Sequence, residues 1–93
     1  MTSDHARLKK LKLRAWRRGF READLILGPF ADSHVSDFST DELDWFERLL
    51  EQPDQDIYDW ILERVATPGE FDGPLMNRLK AFRDNAHKEI DRG

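Results

Sequence analysis

Apolar side chains in this chain recur at intervals of three and four residues, and this spacing constrains the fold more than any other feature. It aligns apolar groups along one face of a helix, whereas a half-buried strand needs them at every second position. Valine and isoleucine together account for only 6 of 93 residues, so residues that favour strands are scarce. The sequence therefore predicts an all-α fold, a bundle of about five short helices.

Glycine and proline mark most of the predicted helix ends. Gly19 is expected to close a first helix that runs to about residue 18, because glycine tolerates the left-handed conformation found there. A second helix is expected from about residue 20 to 35, kinked or broken at Gly28-Pro29, where proline removes a backbone donor. Pro53 should end the third helix, and Pro74 should begin the fifth.

Polar residues supply the predicted helix caps. Ser39 begins a Ser-Thr-Asp-Glu sequence, a capping box that predicts the start of the third helix. Ser3 or Asp4 would cap the first helix, and Asp54 or Asp56 the fourth.

The apolar stripes of these helices predict one core and a single domain over residues 1–93. Leucine, isoleucine, valine and phenylalanine make up 23 residues, enough for a chain of this charge to fold, and no cysteine is present. The longest strongly apolar run, Leu25 to Leu27, is too short to cross a membrane. Core positions are expected at Leu8, Leu11, Ala15, Leu25, Ile26, Leu27, Leu43, Phe46, Leu49, Leu50, Ile57, Trp60, Ile61, Leu75, Leu79, Phe82, Ala86 and Ile90.

Charge is distributed unevenly along the chain. Residues 1–21 carry eight lysines and arginines and one acid, while residues 22–93 carry seven and eighteen, so the net charge is -4. The basic segment could be a solvated helix face, or it could bind an acidic protein or nucleic acid. The acidic body and the position of the basic helix at the start of the chain argue against nucleic acid.

Signatures of catalysis and of metal binding are missing from the sequence. It contains no glycine-rich phosphate loop, no nucleophile elbow and no metalloprotease motif. His5, His34 and His87 lie far apart and lack the spacing of metal ligands. We expect a protein that is not an enzyme, with no catalytic or metal-binding residues of its own.

The most unusual cluster is the sequence Arg-Arg-Gly-Phe-Arg-Glu at residues 17–22. On a structural interpretation, Gly19 ends one helix while Arg18 and Glu22 complement the dipoles of two helix ends. On a functional interpretation, Gly19 admits another backbone, and Arg18 and Glu22 offer directional contacts beside it. The residues alone leave both interpretations open.

With its surroundings, this cluster resembles the family of succinate dehydrogenase flavinylation factors, also called succinate dehydrogenase assembly factor 2. The RGxxE signature of that family corresponds to residues 18–22, and the similar region covers about residues 7–62. Further matches are a Pro-Phe pair at 29–30, Leu-Leu-Glu at 49–51 and Asp-x-Asp-Ile-Tyr-x-Trp at 54–60. The chain departs from the family pattern at Ala23, Gly28 and Ala31.

The resemblance implies a five-helix assembly factor rather than an enzyme. Its expected partner is the flavoprotein subunit of succinate dehydrogenase, and in some members that of fumarate reductase. The factor would promote covalent attachment of FAD to that partner without holding FAD stably itself, and it would bind no nucleic acid and insert into no membrane. Its expected location is the bacterial cytoplasm rather than the mitochondrial matrix. The positions carried over as partner-binding are Arg18, Gly19 and Glu22, with Arg17 and Asp24 added as neighbours.

Overall fold

The computed structural model describes the backbone of residues 2–92 and the side chains of residues 5–83. The described residues form five α-helices, with a short 3-10 turn at Val35–Asp37 after the second. The helices are α1 (Thr2–Trp16), α2 (Arg21–His34), α3 (Thr40–Leu50), α4 (Asp54–Ile61) and α5 (Pro74–Arg92). The all-α prediction is confirmed, and no helix among the described residues is both long and apolar enough to span a bilayer.

α2 lies at the centre of the bundle, in contact with α1, α4 and α5. Ile26, Leu27 and Phe30 on this helix are fully buried, and each packs in one continuous apolar cluster. Every other helix contributes to the same cluster through residues that the apolar stripes predicted: Leu11 and Ala15, Phe46 and Leu49, Ile57 and Ile61, and Leu79. The predicted core positions Ala86 and Ile90 lie outside the described side chains.

The sequence predicted a kink or a break at Gly28-Pro29; α2 continues through Pro29 to His34, so the break is wrong. Phe30 and Ala31, just beyond the proline, are fully buried on the same side as Ile26 and Leu27. Ending the helix at Pro29 would move this apolar face out of the core. Tertiary packing therefore outweighs the backbone hydrogen bond that a proline removes.

The caps were predicted with mixed success. The capping box at Ser39 is confirmed: its hydroxyl accepts a hydrogen bond from the Glu42 amide at 3.2 Å, and the Glu42 carboxylate accepts one from the Ser39 amide at 2.8 Å. α4 has Pro53 at its cap position and no side-chain cap, so the prediction of Asp54 or Asp56 is wrong. α1 already begins at Thr2, which places the predicted caps at residues 3 and 4 inside the helix, and their side chains lie outside the described residues.

Candidate functional site

The chain turns sharply between α1 and α2, and we call residues 17–22 the α1–α2 corner. α1 ends at Trp16, two residues earlier than predicted, because the Arg18 amide donates to the Asp24 carboxylate at 3.1 Å instead of continuing the helix. Gly19 follows with φ +84°, in the left-handed region. Phe20 is extended and precedes the first turn of α2, where its carbonyl accepts from the Asp24 amide at 2.9 Å.

Backbone conformation, not space, accounts for the glycine in this corner. A Cβ built on Gly19 meets no atom within 4 Å, so its outer side is open. A positive φ is disfavoured for residues with a side chain. The corner therefore presents an exposed backbone face that another molecule can approach closely.

Arg18 points its guanidinium into the molecule, where only 10% of its side chain is exposed. Its Nε donates to Oδ1 of Asp54 at 2.5 Å. Its Nη1 donates to the Leu50 carbonyl at 2.5 Å, and its Nη2 to the Gln52 carbonyl at 2.7 Å. The two carbonyls lie at and just beyond the carboxyl end of α3, where backbone acceptors lack helical partners and a cation is favoured.

The five predicted site residues therefore divide into two groups. Arg18 and Asp24 make hydrogen bonds within the chain and so stabilise the corner on its inner side. Arg17, Gly19 and Glu22 are exposed, together with Arg21, and form the outer surface of the corner. The structure brings all five together within one short segment.

Two contacts of the corner were not predicted from the sequence. Asp54 was interpreted as a helix cap because it precedes an apolar stripe, whereas its carboxylate pairs with Arg18. The ring of Phe20 packs against that of Tyr58 on α4, with centroids 5.0 Å apart. Asp54 and Tyr58 both lie in the Asp-x-Asp-Ile-Tyr stretch of the sequence. The stretch alone does not show which distant residues these two side chains contact.

The positive charge of α1 is partly neutralised within the fold. Arg7 pairs with Asp44 at 2.5 Å and with Glu47 at 3.5 Å, both on α3. Lys9 and Lys10 remain exposed to solvent. α1 also carries two large apolar side chains that remain partly exposed, Leu13 at 51% and Trp16 at 40%.

Groups that could hold a metal or a flavin are not apparent in the described part of the chain. No cluster of three or more His, Asp or Glu side chains there has the arrangement of a metal site. No strand leads into a glycine-rich turn there, the usual cradle for the pyrophosphate of a dinucleotide.

The fold and the corner together define a small all-helical protein with a charged, glycine-containing surface corner. A family model described as "Flavinator of succinate dehydrogenase" matches residues 9–83, and the chain belongs to this family. The match includes the whole corner and the residues that Arg18 contacts.

Curated relatives carry corresponding names. The chain is similar to the FAD assembly factor SdhE of Acetobacter pasteurianus, with 35% identity over 74 residues, covering 80% of this chain and 68% of that protein. It is also similar to mitochondrial succinate dehydrogenase assembly factor 2 of Dictyostelium discoideum, with 41% identity, covering 77% of this chain and 51% of that protein. With the protein of the same name from Debaryomyces hansenii it shares 34% identity, covering 87% of this chain and 60% of that protein. The chain thus spans between about half and two thirds of the length of these relatives. No solved structure matches it.

Proposed function

We propose that this protein promotes covalent attachment of FAD to the flavoprotein subunit of succinate dehydrogenase. The observation that carries the proposal is the family match over residues 9–83, which includes the α1–α2 corner. The names of the relatives agree, since they describe FAD assembly factors and succinate dehydrogenase assembly factors. We extend the proposal to the flavoprotein subunit of fumarate reductase, a related partner with the same chemistry.

The corner is the surface that we propose meets the flavoprotein. Arg17, Gly19 and Glu22 would contact it directly, since all three are exposed. Arg18 and Asp24 belong to the same site, because their hydrogen bonds shape the segment that carries the other three. Charged groups on both sides of an accessible backbone offer directional contacts that fix the orientation of a partner.

The proposed mechanism requires no catalytic group from this protein. Attachment needs a side chain of the flavoprotein held close to the flavin in a reactive orientation. A factor that binds one conformation of the flavoprotein more tightly than the others increases the population of that conformation. We propose that the factor acts in this way, that FAD remains with the flavoprotein throughout, and that both proteins meet in the bacterial cytoplasm.

The test is covalent flavin in the flavoprotein subunit, measured as in-gel fluorescence after denaturation. We expect the signal to rise when the wild-type protein is added and to stay at background with Gly19→Arg or Glu22→Ala. A Cβ at position 19 meets no atom within 4 Å, and the positive φ costs about 1–2 kcal/mol of backbone strain, so circular dichroism should show that Gly19→Arg is folded. The matched control is Glu70→Ala, which removes an exposed carboxylate from the loop before α5 and should support full flavinylation.

Unchanged fluorescence in the presence and absence of the wild-type protein would refute the flavinylation role. Full activity of both folded corner variants would leave that role intact and exclude the corner as the docking surface. A separate measurement, equilibrium dialysis of free FAD against the factor alone, should show no retained flavin.

A further inference from the structure

The α1–α2 corner is attached to a distant part of the chain through one side chain. The three nitrogens of the Arg18 guanidinium donate to three different acceptors, on Leu50, Gln52 and Asp54. These acceptors span the connection between α3 and α4. Arg18 therefore joins the corner to two other helices at once.

This attachment fixes the orientation of the Arg18 guanidinium as well as its position. A guanidinium is planar and its donors point in set directions, so three simultaneous acceptors define both its position and its orientation. The backbone amide of the same residue is held by Asp24, which leaves Arg18 constrained at both ends. On the other side of Gly19, Phe20 packs against Tyr58 of α4. Both neighbours of the glycine are thus held by contacts with other parts of the fold.

The carboxylate of Asp54 is the one charged acceptor in this set. Hydrogen bonds between ionised partners are roughly twice as strong as neutral ones. The Asp54 side chain is 31% exposed and is not part of the apolar cluster that packs α3 against α4. Removing its charge should therefore weaken the attachment of the corner, leaving the Leu50 and Gln52 carbonyls as acceptors, while the helices remain packed.

Resting on the function proposed above, we propose that Asp54 is a positioning residue: acting through Arg18, it holds the corner in the conformation that binds the flavoprotein. The partner then contacts Arg17, Arg21 and Glu22 on the outer surface, while the Arg18 guanidinium faces inward. The binding-competent conformation is populated before the partner arrives. If that population falls to about one tenth, the apparent Kd rises about tenfold.

The experiment measures the affinity of the purified, FAD-loaded flavoprotein subunit for four forms of the factor: wild type, Asp54→Asn, Glu22→Ala and the double variant. The matched control is Asp44→Asn, which breaks the Arg7–Asp44 pair, also 2.5 Å long, which joins α1 to α3 away from the corner. Thermal unfolding of each form identifies a temperature at which all are folded, and binding is measured there. The rate of flavin attachment is then followed as each factor is raised to saturation.

We expect Asp54→Asn to weaken binding about tenfold, with the attachment rate at saturation equal to that of wild type, since only the population of the competent conformation has changed. Asp44→Asn should bind like wild type, although it loses a comparable ion pair. Glu22→Ala should weaken binding by the same factor in the Asp54→Asn background as in wild type, because the flavoprotein binds only the competent conformation, in which Glu22 is in place.

Loss of the Glu22→Ala effect in the Asp54→Asn background would show that a second conformation binds the flavoprotein, which contradicts the population mechanism. Wild-type affinity of Asp54→Asn would overturn the positioning role. So would equal weakening by Asp54→Asn and Asp44→Asn, which would indicate a general effect of lost stability. These results differ from failure of the proposed function, in which wild-type factor neither binds the flavoprotein nor raises covalent flavin.

Discussion

At the scale of single residues, Gly28 has a different role from the one its sequence position suggests. Next to a proline it resembles a helix breaker, yet it lies buried inside α2. A Cβ built on Gly28 would overlap the indole of Trp16, whose ring lies flat against the glycine. The indole nitrogen also donates to Asp32 at 3.1 Å, which fixes the ring over α2. The glycine is therefore required by close packing of α1 on α2.

We predict that Gly28→Ala lowers the free energy of unfolding by about 1–3 kcal/mol, because the added methyl group displaces the Trp16 ring. In a Trp16→Ala background the same substitution should stabilise the protein by up to about 1 kcal/mol, since alanine favours helix over glycine. Urea denaturation of the four forms measures both values. An equal effect of Gly28→Ala in the two backgrounds would contradict the packing role.

At the scale of secondary-structure elements, the connection between α4 and α5 contributes to the core although it lacks helical structure. Phe71 in this connection is only 1% exposed. Its ring stacks on Trp60 with centroids 5.5 Å apart and meets the edge of Trp45 at 6.2 Å. One aromatic side chain thus holds the loop against α3 and α4.

We expect Phe71→Ala to lower the free energy of unfolding by about 3 kcal/mol, since it leaves a cavity between two tryptophan rings. Val65→Ala, in the same connection, is the matched control. Val65 is 52% exposed, and its truncation should change stability by less than about 0.5 kcal/mol. Chemical denaturation measures both variants, and similar small effects would show that the loop does not depend on Phe71.

At the scale of the whole molecule, charge is separated between one end of the chain and the rest. Residues 1–21 are strongly basic and the remainder is acidic, for a total of -4. Arg7 and Arg18 are already paired with carboxylates, so their charges are offset within the fold. Lys9 and Lys10 are exposed on α1, the helix that precedes the corner, and are available to attract an acidic partner.

Under the proposed function, we predict that Lys9→Gln together with Lys10→Gln slows association with the flavoprotein several-fold at low salt and leaves dissociation unchanged. Exposed charges of this kind accelerate encounter more than they strengthen the final complex. The matched control replaces Arg48 and Arg78, two exposed cations on α3 and α5, with glutamine. Stopped-flow kinetics should show that only the lysine pair matters and that its effect disappears as salt rises. Equal slowing by both pairs would indicate an effect of net charge alone.

The sequence by itself determined the features whose physical causes are local. Three- and four-residue spacing specified the helices, the Ser39 capping box specified the start of α3, and Gly19 specified a turn with positive φ. Each of these signals acts within about one helical turn, so neighbouring residues were enough to predict it. The resemblance of residues 17–22 to a family motif added a candidate site in the same local way.

Only the tertiary structure decided where Arg18 points, whether Pro29 interrupts α2, and what Gly28 and Phe71 pack against. The acceptors of the Arg18 guanidinium lie 32, 34 and 36 residues further along the chain. From the local sequence alone, Arg18 could be either an exposed residue that binds a partner or a buried residue that links two parts of the fold. Packing of α3 and α4 against α2 removed that ambiguity, because it brought two helix-end carbonyls and one carboxylate within reach of a single planar cation.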